Sequence, residues 1–213
     1  SSFYSDIRIA PAKGKVMSIS PEQASKIRSI PGIKGLSYIA EEKALMQNGE
    51  YQTIIYIKGV DSNYAHISGV PQKMIRGIFD LGDAERPRAV LGSGIENAVG
   101  ILSDRMITPL MVYLPKKGQT NLNNPLESLS QGEIIPAGSF AIQSEFDNKY
   151  VLTNIGFLKE YLNYGAAEYS AVEIMLHNVK DERAVKESLQ QYLGESYSVQ
   201  NRYEQNKSLY STI

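Results

Sequence analysis

The stretch SYIAEEKALMQNGEYQTIIYIKGVD, from Ser37 to Asp61, constrains this chain more than any other segment. Two long extended arms meet at Asn48-Gly49, a dipeptide that favours a two-residue hairpin turn with both residues at positive φ. That turn would set Met46 opposite Tyr51, Ala44 opposite Thr53, Glu42 opposite Ile55 and Ala40 opposite Ile57. The resulting face is mostly apolar, whereas the other pairs Leu45 with Gln52 and Ile39 with Lys58. About nine residues per arm at ~3.3 Å each make a ribbon of roughly 30 Å. It serves either as two central strands or as a stiff projecting element. Neither end carries a cysteine, a histidine or an obvious nucleophile.

The two ends of the chain share one texture, strand–helix–strand. DIRIAP (Asp6 to Pro11) alternates as a short strand, and Ser20, Pro21 and Gln23 open a helix with a capping-box pattern. Ala24, Ile27 and Ile30 form its buried stripe, and PGIKG stops it. A helix is expected over Asn154 to Leu162 with Ile155, Leu158, Tyr161 and Leu162 inward. Strand AVEIMLHN follows, then a helix from Asp181 to Leu193 with Val185, Leu189, Tyr192 and Leu193 inward and Gly194 as its stop. SYSVQNRY closes as a strand, and EQNKSLYSTI begins another helix.

The middle reads differently. AVLGSGIENAVGIL is strand, turn and helix, with Ile95, Ala98, Val99 and Leu102 on one face. MITPLMVYLP is a strand, Lys116 to Glu133 is polar with little periodicity, and IIPAGSFAIQSEFDNKYVL is a strand pair turning at Asp147-Asn148. The expected fold is therefore α+β: a discontinuous strand–helix–strand domain, 1–61 plus 154–213, carrying a β-rich insertion at 62–153.

Composition removes several functions. Lysine plus arginine number 22 against 23 aspartate plus glutamate, so the net charge of -1 offers no basic face for nucleic acid. With no cysteine there is no disulfide, thiolate nucleophile or thiolate metal ligand. His66 and His177 fall in different expected subdomains, and a zinc site would have to recruit carboxylates. The longest apolar run, Leu110 to Leu114, is far short of the ~20 residues that cross a bilayer. Gly92-x-Gly94 lacks the third glycine of a dinucleotide fingerprint, Asn97 standing there, and is better read as a tight strand-to-helix turn. Lys13 to Lys15 is no P-loop, because Ile9 and Val16 replace the required glycine and hydroxyl residue. Ser93 has Leu91 two residues before it, so no nucleophile elbow forms. These features point to a protein without catalytic chemistry or cofactor.

The order of motifs along ~200 residues resembles the periplasmic domain of ABC-transporter permeases of the MacB/FtsX/LolC-LolE superfamily, nearest the lipoprotein-releasing LolC/LolE branch. SDIRIAPAKGK, IPGIKGLSYIAEEKAL, YIKGVD, IRGIFDL, AVLGSGIENAVGI, PAGSFAIQSEFDNKYV and NRYEQNKSLY carry the likeness. The resemblance implies a Porter-like subdomain from the chain ends and an inserted Sabre-like subdomain, on the periplasmic side of the inner membrane. It implies a second permease subunit and a cytoplasmic ATPase, reached through membrane helices outside this sequence. The work would be mechanical, with no enzymatic step in this domain.

In the carrier-binding member a hook-like loop captures a soluble lipoprotein carrier. The matching interval here holds Pro115, Lys116, Lys117, Leu122, Pro125, Leu126 and Leu129. An efflux permease or a regulator of cell-wall hydrolases would share the fold, and a free-standing extracytoplasmic binding or hydrolytic module is the alternative of another class. A fragment of this kind is compatible with a monomer.

Overall fold

The computed structural model describes residues 3–105, 107–115 and 128–211. In chain order the first elements are β1 (Ile7–Pro11), β2 (Met17–Ser18), α1 (Pro21–Ser29), β3 (Ile33–Asn48), β4 (Tyr51–Val60), α2 (Tyr64–Ile67), β5 (Met74–Gly77), β6 (Arg88–Gly92) and α3 (Ser93–Ala98). There follow β7 (Leu110–Pro115), β8 (Leu129–Phe140), α4 (Ser144–Asp147), β9 (Tyr150–Asn154), α5 (Ile155–Tyr161) and β10 (Glu168–Tyr169). The last are β11 (Ala171–Leu176), α6 (Glu182–Leu193), β12 (Tyr197–Asn201) and α7 (Arg202–Ser211). The chain divides into two compact units. Unit 1 comprises Ser1–Ile39, Ser62–Ser68 and Gly165–Ile213, and unit 2 comprises Ala40–Asp61 and Gly69–Tyr164.

In unit 1 the strands run β12–β1–β11–β3, antiparallel throughout, with Ile7 opposite both Asn201 and Ile174, and Ala171 opposite Ile39. Alternation turns Ile7, Ile9, Val172 and Ile174 to one side, where they pack with Ala24 and Ile27 of α1 and Val185 and Leu189 of α6. The capping box forms: Gln23 N–H donates to Ser20 Oγ at 3.1 Å, and Ser20 N–H donates to Gln23 Oε1 at 2.8 Å. Helix α6 ends at Gly194, whose φ of 87 suits only glycine without strain. Tyr192, expected inward, is exposed instead.

In unit 2 the pairings β3–β4–β9–β6–β8–β7–β3 close on themselves, so six strands surround one core. Met46, Ile57, Leu91, Val112, Ile134 and Val151 fill it. The ribbon is embedded here rather than projecting. Leu45–Gln47 of β3 pair with β7, and Tyr56–Val60 of β4 pair with β9 in parallel.

Its turn differs from the expected one. The two-residue loop is Gly49-Glu50, and of these residues and Asn48 only Gly49, at φ 59, has positive φ. Asn48 stays in the strand because its Nδ2 donates to Val99 O at 2.8 Å, a tertiary bond that competes with the turn role. Moving the loop by one residue shifts every cross-strand partner by two. The faces are therefore kept: Ala40, Ala44, Met46, Ile55 and Ile57 are all buried.

Two further expectations change. Strands β8 and β9 are not a hairpin; β6 lies between them, and the link contains α4, held by Asp147 Oδ1 accepting from the N–H of Ile142 at 2.8 Å. Helix α3 ends at Ala98, with Gly100 at φ 69, so Ala98 and Leu102 are exposed and Glu96 is buried in their place. The compact units also divide at residues other than 61/62 and 153/154, the first cut falling inside β3 after Ile39. Alternation alone could not locate it, because β3 runs through the cut as one uninterrupted strand.

Candidate partner-contacting site

Strand β8 is longer than its neighbour. Strand β6 begins at Arg88, opposite Ile135, while β8 begins six residues earlier at Leu129. Over those residues β7 covers one side, Leu110 lying opposite Ile134 and Pro115 opposite Leu129. The other side is open. Ile135 N–H donates to Pro87 O at 3.3 Å, which fixes the direction of the β6 side. Backbone groups alternate along a strand, so the N–H and C=O of Gln131 and Glu133 point that way too. Among the described residues nothing on the β6 side bonds them.

The opening is a groove of about 980 Å³ within unit 2. One wall is the loop Ala84–Arg88, the other the outward face of the β7–β8 pair with Met111, Gln131, Glu133 and Ile135. Phe157 and Tyr161 of α5 line its inner part, their ring centroids 4.6 Å apart. Helix α5 is fixed there by Asn154, whose Oδ1 accepts from Phe157 N–H at 2.9 Å, and by Ser130 Oγ, which donates to Tyr161 O at 2.9 Å. Gly132 lets the aromatic rings approach, since a Cβ there would stand 2.9 Å from Phe157 Cζ. At the rim Ile107 is 90 % exposed. Arg88 meets Asp80 at 3.5 Å, yet its buried Nε has no hydrogen-bond partner among the described residues.

Of the residues singled out in the sequence, Pro115 and Leu129 oppose each other at the ends of β7 and β8. Lys116, Lys117, Leu122, Pro125 and Leu126 lie outside the described residues. The groove itself escaped sequence reading. Its signal was the odd-numbered set Gln131, Glu133 and Ile135 alternating with the buried Ile134, a pattern divided between the segment read as polar, which ends at Glu133, and the strand read from Ile134.

A second polar cluster is internal. Glu96 accepts from Ser103 N–H at 2.8 Å, Ser103 Oγ at 2.5 Å, Ser139 Oγ at 3.2 Å and Arg76 Nε at 3.2 Å. Every bond ends on the protein's own framework, which marks it as a structural tie between α3, β5 and β8. The histidines expected in different subdomains both fall in unit 1. The described residues hold no group of three or more His, Asp or Glu placed to bind a metal. Nor is any described helix long and apolar enough to cross a membrane.

Similarity to known proteins is structural. No protein-family model matches the chain, and no curated protein matches it in sequence. The extracellular domain of the noncanonic ABC-type transporter YknZ from Gram-positive bacteria superposes with a TM-score of 0.59 at 13% identity, covering 92% of this chain and 99% of that one. The periplasmic region of MacB from Actinobacillus actinomycetemcomitans superposes with a TM-score of 0.59 at 11% identity, covering 97% and 93%. The chain shares their fold. At these identities the likeness concerns architecture, and it spans nearly the whole of each chain.

Proposed function

We propose that this chain is the extracytoplasmic domain of an ABC-transporter permease. It couples a cytoplasmic ATPase to cargo movement by mechanical work and catalyses no reaction itself. The observation that carries this reading is the two-way coverage above nine-tenths with extracytoplasmic domains of two ABC-type transporters. In this reading units 1 and 2 are the Porter-like and Sabre-like subdomains, and the cargo is a lipoprotein lifted from the periplasmic side of the inner membrane. The segment between Pro115 and Leu129 contacts the soluble carrier, through Lys116, Lys117, Leu122, Pro125 and Leu126. The motif order along the sequence supports this branch.

Purification of the full-length protein from detergent-solubilised membranes tests the role. An ABC ATPase and a second permease subunit are expected to accompany it, and spheroplasts are expected to release lipoprotein only when a soluble carrier is added. An outer-membrane exit duct or a coiled-coil hydrolase activator in place of the carrier would move the protein to a sister branch. A full-length protein that is not membrane-bound and brings no ATPase would end the proposal.

A further inference from the structure

We infer that the groove beside β8 is a strand-addition site, which takes an extended peptide segment of a partner protein as an extra strand on the free edge of Leu129–Ile134. This goes beyond the transport role and stands whichever cargo the permease moves. Its basis is the backbone. The N–H and C=O groups of Gln131 and Glu133 face an opening where no described residue continues the β6 strand, and a second extended chain is the ligand whose donors and acceptors repeat at that spacing. The exposed edge runs about 20 Å at ~3.3 Å per residue, enough for a six-residue segment. Of the residues that blunt sheet edges, proline and lysine are absent from Leu129 to Ile134, LSQGEI, and Glu133 supplies the one charge.

The walls define the segment's chemistry. Phe157 and Tyr161 line the inner part, so side chains on the inward face of the added strand are apolar. Arg86 and Arg88 stand on the wall opposite β8, and Arg88 Nε is a buried donor without an acceptor among the described residues. A carboxylate on the incoming segment complements these two guanidinium groups, whereas on the β8 side Glu133 repels it. The segment is thus oriented with its acidic residue towards the loop Ala84–Arg88. A lipid chain would use the aromatic floor but leave the backbone groups of Gln131 and Glu133 unmet, which is why a peptide is favoured.

Amide hydrogen exchange on the whole 213-residue chain, followed by NMR, tests the edge first. Gln131 and Glu133 are expected to exchange at least about tenfold faster than Ser130, Gly132 and Ile134 of the same strand. A random octapeptide library displayed on phage is then panned against the chain, and selected sequences are synthesised. Binding is expected to slow exchange at Gln131 and Glu133, and Q131P, which removes one groove-facing N–H and no β7 bond, is expected to weaken it about tenfold while the chain stays folded. G132P, which breaks the β7 ladder, is expected to lower the melting temperature instead.

Equal protection of all five amides in the free chain would overturn the inference. So would an empty selection, or peptides that bind without protecting Gln131 and Glu133. Protection that grows with concentration of the chain alone would assign the edge to a second copy and overturn the partner peptide. None of these readouts involves the ATPase or lipoprotein release, so the transport role can fail while the edge stands, and the reverse.

Discussion

Glu96 shows what a charged residue does in this fold when it is not catalytic. It is 2 % exposed and accepts four hydrogen bonds, from Arg76, Ser103 twice, and Ser139. Removing a carboxylate from such a setting strands Arg76 and two hydroxyls, so Glu96→Ala is expected to cost about 3 kcal/mol in urea unfolding. A loss below ~1 kcal/mol would show that water replaces the carboxylate. Glycine spacing has an equally local cause. A Cβ on Gly92 would meet the backbone oxygen of Asp147 at 2.2 Å, whereas one on Gly94 would meet first the side-chain Oδ1 of Asn148 at 1.7 Å. Backbone cannot swing aside, so Gly92→Ala should be the costlier substitution, about 3 kcal/mol against roughly 1–2 for Gly94→Ala. Equal losses in thermal melts would refute that ordering. The pair that looked like part of a nucleotide fingerprint is thus accounted for by the α3–α4 contact.

Lys149 lies 4.2 Å from the centre of the Tyr56 ring and 5.6 Å from that of Tyr150. Burial holds its ammonium below the ordinary 10.5, against an opposing pull from Glu41. Because the folded value lies below the unfolded one, the unfolded chain binds more protons just beneath 10.5, and Lys149's contribution to stability rises with pH in that window. The stability of K149M relative to the parent should therefore fall as pH is raised from about 7 to about 10. A difference that stays constant between urea melts at the two values would mean that the cation–π contact offsets the burial.

At the scale of elements, legibility followed the range of the interactions. Helix α1 was readable because Ser20 and Gln23 bond each other's backbone within four residues, and α5 and α6 because their caps and stripes are local. The hairpin tip was misplaced by one residue because Asn48 is held by Val99, fifty-one positions away. Gly49 alone meets the positive-φ requirement, and a Cβ there would meet nothing within 4 Å. Gly49→Ala should therefore cost only the left-handed penalty, about 1–2 kcal/mol, and Gly49→Asn less. A larger loss in thermal unfolding would place hidden packing at the tip. The groove was illegible for the same reason as the tip: it exists because β6 begins only at Arg88, opposite Ile135, while β8 begins six residues earlier at Leu129, a mismatch between strands more than forty residues apart.

At the scale of the molecule, the two units have separate cores. One gathers Ile7, Ile9, Ile27, Val172, Ile174 and Leu189, the other Met46, Ile57, Leu91, Val112, Ile134 and Val151, and the two clusters share no residue. Yet β3 passes from one unit to the other without interruption, its residues up to Ile39 in unit 1 and from Ala40 in unit 2. Packing defects spread through side-chain contacts rather than through chain continuity. Ile174→Ala should then destabilise unit 1 by about 2–5 kcal/mol through the cavity it leaves. Native-state hydrogen exchange at Leu91 and Val112 should hardly change. If those amides lose protection in step with unit 1, the cores form one cooperative block. If they hold, the core of unit 1 loosens without loosening that of unit 2.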